Sequence, residues 1–361
     1  MHDTRLDAIR HGLHLRRLHP AYFALAMATS IVSIALRDSG LSAIPDALFA
    51  VNVVVYPALI LISLARLIVY PQECVADLAD HRRAQGYFTF VAATAVMGLE
   101  CRIVGAPPAL VIAFWWLAFL AWVVVMYAVF ATLIIKQRKP RIERGLDGGW
   151  LLSIVATQAV AILGAALAPL VPEHAHAHLF LALVLWLVGG MLYIWIISLI
   201  FYRSVFFRLA PSELTPPYWI SMGAMAISTL AGVYLLDYGA DLPVIQAARS
   251  FIVGFTLLFW ATATWWIPLL IVLEAWRHLW RRYPLSYEPL DWGAVFPFGM
   301  YATCTWNLAR ALDMDLLRPI AVFFAWAALI LWLLTFIGWI LADAPELWRA
   351  TFRKVPDHHR T

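Results

Sequence analysis

Long apolar stretches, separated by short polar segments rich in proline, run through the whole chain. Ten can be marked out, at residues 20–36, 47–69, 87–104, 109–135, 150–171, 179–201, 218–236, 244–273, 292–311 and 317–341. Each approaches or exceeds the roughly 20 mostly apolar residues that cross a bilayer as a helix. Pro71, Pro107, Pro108, Pro140, Pro172, Pro216, Pro217, Pro243 and Pro284 punctuate the segments between them. A missing amide N–H and a fixed φ make these natural helix boundaries. The pattern predicts an all-α integral membrane protein with ten transmembrane helices. Residues 1–19 would form a cytoplasmic amphipathic segment, 20–341 the membrane domain and 342–361 a cytoplasmic tail.

The stretches also alternate in character. Odd-numbered ones begin near Pro20, Tyr87, Trp150, Tyr218 and Trp292, at steps of 67, 63, 68 and 74 residues. Each step is about one helical hairpin, so the ten spans read as five copies of one unit. The odd stretches hold small and weakly polar residues: Thr29, Ser30 and Ser33, then Thr94 and Gly98, Thr157 and Gln158, Ser228 and Thr229, and finally Thr303, Thr305 and Asn307. The even ones are dense in large aliphatics, such as Leu59, Ile60, Leu61 and Ile62. Small residues let helices approach closely, and hydroxyls can line a water path. The expected architecture is a quasi-fivefold ring of inner helices around a central pore, shielded by five outer ones. Plain helix packing is the alternative for any single residue.

Composition agrees. Hydrophobic residues make up 63% of the 361 and charged residues 13%, against about 25% charged in a soluble domain. A soluble enzyme, a disordered chain and a nucleic-acid module are excluded, so no nucleic-acid partner is expected. With the N-terminus placed in the cytoplasm, 21 of the 26 Lys and Arg residues fall on the cytoplasmic side. Only Arg37, Arg102, Arg249, Arg310 and Arg318 fall on the other, which puts both termini inside. Most of the 18 tryptophans fall near the ends of apolar runs, as interface residues do. Residues 4–18 read as an amphipathic helix on the inner leaflet, with a cleaved signal peptide as the competing reading. Cys74, Cys101 and Cys304 are odd in number and widely spaced, so neither a disulfide framework nor a zinc site is indicated.

Two stretches carry a family resemblance: His19-Pro20-Ala21-Tyr22-Phe23-Ala24-Leu25-Ala26-Met27-Ala28-Thr29-Ser30, and Leu290-Asp291-Trp292-Gly293-Ala294-Val295-Phe296-Pro297-Phe298-Gly299-Met300. With ten spans in five hairpins, they resemble the tellurite-resistance/dicarboxylate transporter family. That family includes a bacterial tellurite-resistance channel homologue, the yeast malate permease and the plant slow anion channels. The resemblance implies a homotrimer with one pore per subunit, carrying small anions such as chloride, nitrate or malate-like C4-dicarboxylates. It further implies a phenylalanine gate, which by motif position is Phe296, at a kink made by Pro297. Spans 3, 5 and 7 lack the interior prolines common in the family, and Gly98, Gly164, Gly223 and Gly232 are candidates to bend them instead.

Read without the family, Phe296 is a bulky ring beside a proline kink, able to plug a narrow conduit or simply to pack. Glu100 and Arg102 are ionisable groups at membrane depth, functional candidates by default. Two residues apart on a helix, they cannot face each other, and Arg310 and Asp313 are the expected partners. The alternatives are an ion pair at the outer rim and a contact with substrate, and Arg102 and Arg310 would also draw anions to that side. Arg249 and Glu274 are expected at the interface, solvated. His19 would stand at the cytoplasmic mouth of the pore, as a pH-sensing or anion-meeting group or a simple interfacial histidine. His174, His176 and His178 alternate on a short outer loop, a loose metal-ligand pattern without other support. Catalytic motifs and buried histidine pairs for a haem are not seen, so no cofactor is expected. A transport protein is favoured over a membrane-embedded enzyme or redox subunit.

Overall fold

The computed structural model describes residues 15–284, 287 and 289–352, with side chains as far as Leu341. Most of the expected N-terminal amphipathic segment and the end of the tail lie outside the described residues. Among those described, ten long helices follow one another: α1 Phe23–Asp38, α2 Ala43–Val69, α3 Phe88–Ile103, α4 Pro108–Ile135 and α5 Leu152–Leu167. The second half holds α6 Ala175–Phe206, α7 Ile220–Tyr238, α8 Arg249–Ala275, α9 Trp292–Ala311 and α10 Arg318–Phe352. No strand occurs among the described residues. A helix satisfies its own backbone hydrogen bonds, the condition for crossing hydrocarbon.

Eight helical segments are long and apolar enough to cross a membrane by length and composition. The two predicted spans outside that set are α3 and α9, helices of 16 and 20 residues. Both carry the polar residues that lower hydropathy, including Glu100 and Arg102 on α3 and Asn307 and Arg310 on α9. They offset this by burial against other helices.

The odd-numbered helices pack in a closed cycle, α1 on α3, α3 on α5, α5 on α7, α7 on α9 and α9 on α1. Each even helix packs on the odd helix before it. Burial divides the same way: the apolar stretches within Gly148–Leu170 and Pro216–Tyr238 are wholly buried, whereas only 17% of that in Ala43–Val69 is. The even helices expose large apolar side chains, among them Val54, Leu61, Val124, Trp195, Val272 and Phe323.

Three hairpin turns use one device. Gly40, Gly105 and Asp313 have φ of 87°, 77° and 54°. The next residue's N–H then returns to a carbonyl five back: Leu41 to Leu36, Ala106 to Cys101 and Met314 to Ala309, at 3.1, 2.9 and 2.8 Å. This left-handed cap satisfies the last carbonyls of α1, α3 and α9 and reverses the chain. The glycines expected to bend the inner helices serve close approach instead. A Cβ on Gly98 would come within 2.7 Å of both Leu163 and Phe114, and one on Gly232 would collide with Thr256.

Candidate functional site

In four of the five inner helices, one of the hydroxyls expected to line a conduit is bonded instead to an outer helix. Tyr56 on α2 shares a 2.7 Å hydrogen bond with Thr94 on α3. Trp122 on α4 donates to Thr157 Oγ1 on α5 at 2.8 Å, and Trp260 on α8 to Thr305 Oγ1 on α9 at 3.0 Å. Trp332 on α10 donates to Thr29 Oγ1 on α1 at 3.0 Å. At the corresponding place Trp186 on α6 donates to the Ser228 carbonyl on α7 at 2.9 Å. Each outer helix thus sends an aromatic hydrogen bond into the next inner helix, and α6 adds a second, from Tyr193 to the Ser221 carbonyl at 3.2 Å. The threonines are also tied to their own helices: Thr29, Thr94 and Thr157 donate to the carbonyl four residues back. Sequence reasoning placed tryptophans at the membrane interface and missed this set. Its signal was present, since residues 56, 122, 186, 260 and 332 are spaced by 66, 64, 74 and 72, the hairpin step again.

On α9 the two sides are distinct. Phe298 packs on Trp219 and on Phe324 of α10, Tyr301 bonds to Thr264 of α8, and Thr305 meets Trp260. Phe298 also lines a groove of about 570 Å³ with Trp219, Glu274 and Leu331. Phe296, Met300, Thr303 and Asn307 recur at i, i+4, i+7 and i+11, a stripe on the opposite side of the helix. Phe296 is fully buried, and the buried Thr303 hydroxyl has no hydrogen-bond partner. Pro297 interrupts the helix and presses on Gly223 of α7, where an added Cβ would lie 2.8 Å from the proline ring. Pro297 therefore needs a glycine opposite it to sit at this crossing.

The ionisable candidates are not brought together as expected. Arg310 pairs with Asp237 of α7 at 2.5 Å and reaches Asn307, which in turn donates to Asp38 of α1 at 3.2 Å. This links the ends of α1, α7 and α9, and Asp38 and Asp237 were not among the sequence candidates. Arg102 donates to the Ala166 carbonyl of α5 at 3.4 Å. Glu100 is fully buried, beside Ser30 and Ser33 of α1, and neither of its carboxylate oxygens has a hydrogen-bond partner. Glu274 is partly exposed and also engaged: it accepts from Trp219 at 3.2 Å and pairs with Arg277 and His278. His178 packs on Trp115, with ring centroids 4.4 Å apart.

His19 caps a helix. Its Nδ1 accepts the Ala21 N–H at 3.1 Å, opening the turn that leads into α1. Burial, reinforced by the Arg83 guanidinium, lowers its pKa to about 4, which keeps the ring neutral and able to accept. Around it lies a network that the sequence did not reveal. Buried Asp77 binds Arg66 at 2.7 Å and Arg83 at 2.5 Å. The two guanidiniums also donate to the carbonyls of Arg16 and Leu18, tying the entry of the chain to the α2–α3 connection. Asp147 caps the helix before α5 and holds Arg82, and burial raises its pKa.

A sequence model described as voltage-dependent anion channel matches residues 17–340. An uncharacterized membrane protein of Mycobacterium tuberculosis is 38% identical over 147 residues, 41% of this chain and 74% of its own. An uncharacterized transporter of Methanocaldococcus jannaschii is 23% identical over 93% of this chain and 94% of its own. A sulfite efflux pump of Arthroderma otae is 23% identical over 89% of this chain and 90% of its own. Matched over all but its two ends, the chain belongs to the voltage-dependent anion channel family, in agreement with its resemblance to the tellurite-resistance/dicarboxylate transporters.

Proposed function

We propose that this chain passes small anions across a cell membrane, through a pore enclosed by α1, α3, α5, α7 and α9 and closed by the ring of Phe296. In this reading all ten helices span the bilayer as five hairpins, α3 and α9 included, and both termini are cytoplasmic. The observation that carries it is the α9 stripe of Phe296, Met300, Thr303 and Asn307, on the side away from the outer helices. A buried apolar ring on that stripe would exclude water and ions, and turning it aside would open the path. The charged residues of α1, α3 and α9 lie near their outer ends, at Arg37, Asp38, Glu100, Arg102 and Arg310. A path without fixed charge along most of its length selects by dehydration cost, so large, weakly hydrated anions should pass most readily. Nitrate and chloride are the simplest candidates, malate-like dicarboxylates follow from the family resemblance, and sulfite from the fungal efflux pumps.

Nitrate flux in proteoliposomes tests this reading. Phe296→Ala removes the ring and leaves Pro297 and the kink in place. Flux should rise several-fold, whereas Phe298→Ala, on the side facing Trp219 and Phe324, should leave it near wild type. Equal behaviour of the two variants, or unchanged flux in well-folded Phe296→Ala, would refute the gate.

A further inference from the structure

The seam between α1, α2 and α3 holds buried side-chain oxygens that accept no hydrogen bond. Glu100 lies there, fully buried and three residues from the end of α3, with Oε1 and Oε2 both unpartnered. Asn52 Oδ1, reaching in from α2, is buried and unpartnered as well. The hydroxyls beside Glu100 on α1, those of Ser30 and Ser33, have other acceptors as well. Ser33 donates to the Pro45 carbonyl at 3.0 Å, and the Ser30 hydroxyl points to Met97 Sδ at 3.8 Å. Asn52 Nδ2 serves Ser30 Oγ, the Ala26 carbonyl and Met97 Sδ at 2.7, 3.1 and 3.5 Å.

Charges facing Glu100 do not compensate it. Arg37 on α1 is the nearest; one of its terminal nitrogens pairs with Asp46 of α2 at 2.7 Å, and its Nε is buried without a hydrogen-bond partner. Arg102, on its own helix, is turned to the Ala166 carbonyl, and Asp38 on α1 is held by Asn307. The Cys101 thiol is its neighbour in sequence, and Tyr56 of α2 is bonded to Thr94. The packed helices α4 and α5 bring no charged side chain, and Tyr127 of α4 is exposed to the outside. An ionised carboxylate in such a seam is a buried charge without a hydrogen bond, which is strongly unfavourable.

A carboxylate buried in this way is relieved above all by a proton. Adding H⁺ gives a neutral acid with one new O–H donor, so one step removes the charge and supplies a donor beside the unpartnered oxygens of Glu100 and Asn52. We propose that Glu100 is a proton-binding site and that anion passage requires it to be protonated. The inference rests on the anion-transport reading: an ionised Glu100 in the wall between two inner helices repels an anion in the path, and its protonation removes that barrier.

The test is nitrate flux through the full-length protein in proteoliposomes, at equal pH on both sides, from pH 8 to pH 5. Wild-type flux should rise several-fold as pH falls. Glu100→Gln, a neutral isostere, should conduct at the high level throughout. Glu100→Asp should keep the pH dependence with a displaced midpoint, and it decides the matter if the glutamine variant does not assemble. A pH profile that Glu100→Gln leaves unchanged, or an undisplaced midpoint in Glu100→Asp, would overturn the proposal. So would flux that follows sodium concentration rather than pH. Infrared titration in detergent is independent of transport. A protonated-carboxyl C=O component present at pH 7 and lost in Glu100→Gln supports the site even where nitrate does not move. Identical spectra overturn it whatever the flux.

Discussion

His19 shows how far the surroundings of one residue alter its chemistry. In sequence it stands at the start of the first span as a candidate pH sensor; in the fold its ring nitrogen is spent on the Ala21 N–H. Its pKa near 4, against an ordinary 6.5, sets the sign of its effect on stability. Above pH 6.5 the ring is neutral whether the chain is folded or not. Between 6.5 and about 4 the unfolded chain takes up a proton that the folded one refuses, so stability falls as pH falls, by at most about 3 kcal/mol. His19→Asn keeps a capping acceptor and does not titrate. The wild-type melting temperature in detergent should therefore drop more between pH 7 and pH 5 than that of the variant. Parallel profiles would show that His19 is free to protonate in the fold. The Pro297–Gly223 contact is equally opaque in sequence, because the two residues stand 74 positions apart on different helices. Proline in a helix is visible in the chain, whereas the glycine that accommodates it is a matter of neighbouring helices.

At the level of elements, helix ends and lengths were readable because apolar runs, prolines and glycines impose them locally. Pro108 opens α4 at a position where its missing N–H costs nothing. The interior prolines Pro57 of α2 and Pro268 of α8 show that the same residue does not always end a helix in this protein. What joins the elements is less legible. Asp77 is one of 22 acidic residues, yet it neutralises Arg66, which is only 4% exposed, and Arg83 beside it. Asp77→Asn strands a buried guanidinium and should cost about 3–5 kcal/mol. The exposed Arg16–Glu73 pair, 2.7 Å apart, should be worth less than about 1 kcal/mol in a Glu73→Gln variant. Thermal unfolding in detergent compares the two. If Asp77→Asn melts with the wild type, the Arg66 network does not hold the α2–α3 connection.

For the whole molecule, the outer helices present the surface that any partner or lipid must meet. Large apolar side chains such as Leu61, Val124, Ile194, Trp265 and Phe323 are exposed on α2, α4, α6, α8 and α10. Lipid covers such a surface, and identical subunits can cover part of it. The family resemblance leads us to expect a homotrimer joined through these helices. Native mass spectrometry from mild detergent should give three copies, and a monomer persisting across several detergents would refute the assembly.

Composition and periodicity alone determined that this protein is helical, where its helices lie, and that small polar residues recur every hairpin. Those properties are local: a run of apolar residues partitions into hydrocarbon, and a proline or glycine breaks or caps a helix, whatever surrounds it. Tertiary structure decided what the polar residues touch. Thr29, Thr94, Thr157 and Thr305 carry the same hydroxyl that would suit a water-lined path, and only packing turned them to outer-helix aromatics. Arg310 could have met Glu100 by charge, yet the placement of α7 beside α9 supplied Asp237 instead. A hydrogen bond or ion pair needs its partner within about 3 Å, and in this chain those partners come from helices tens to hundreds of residues apart.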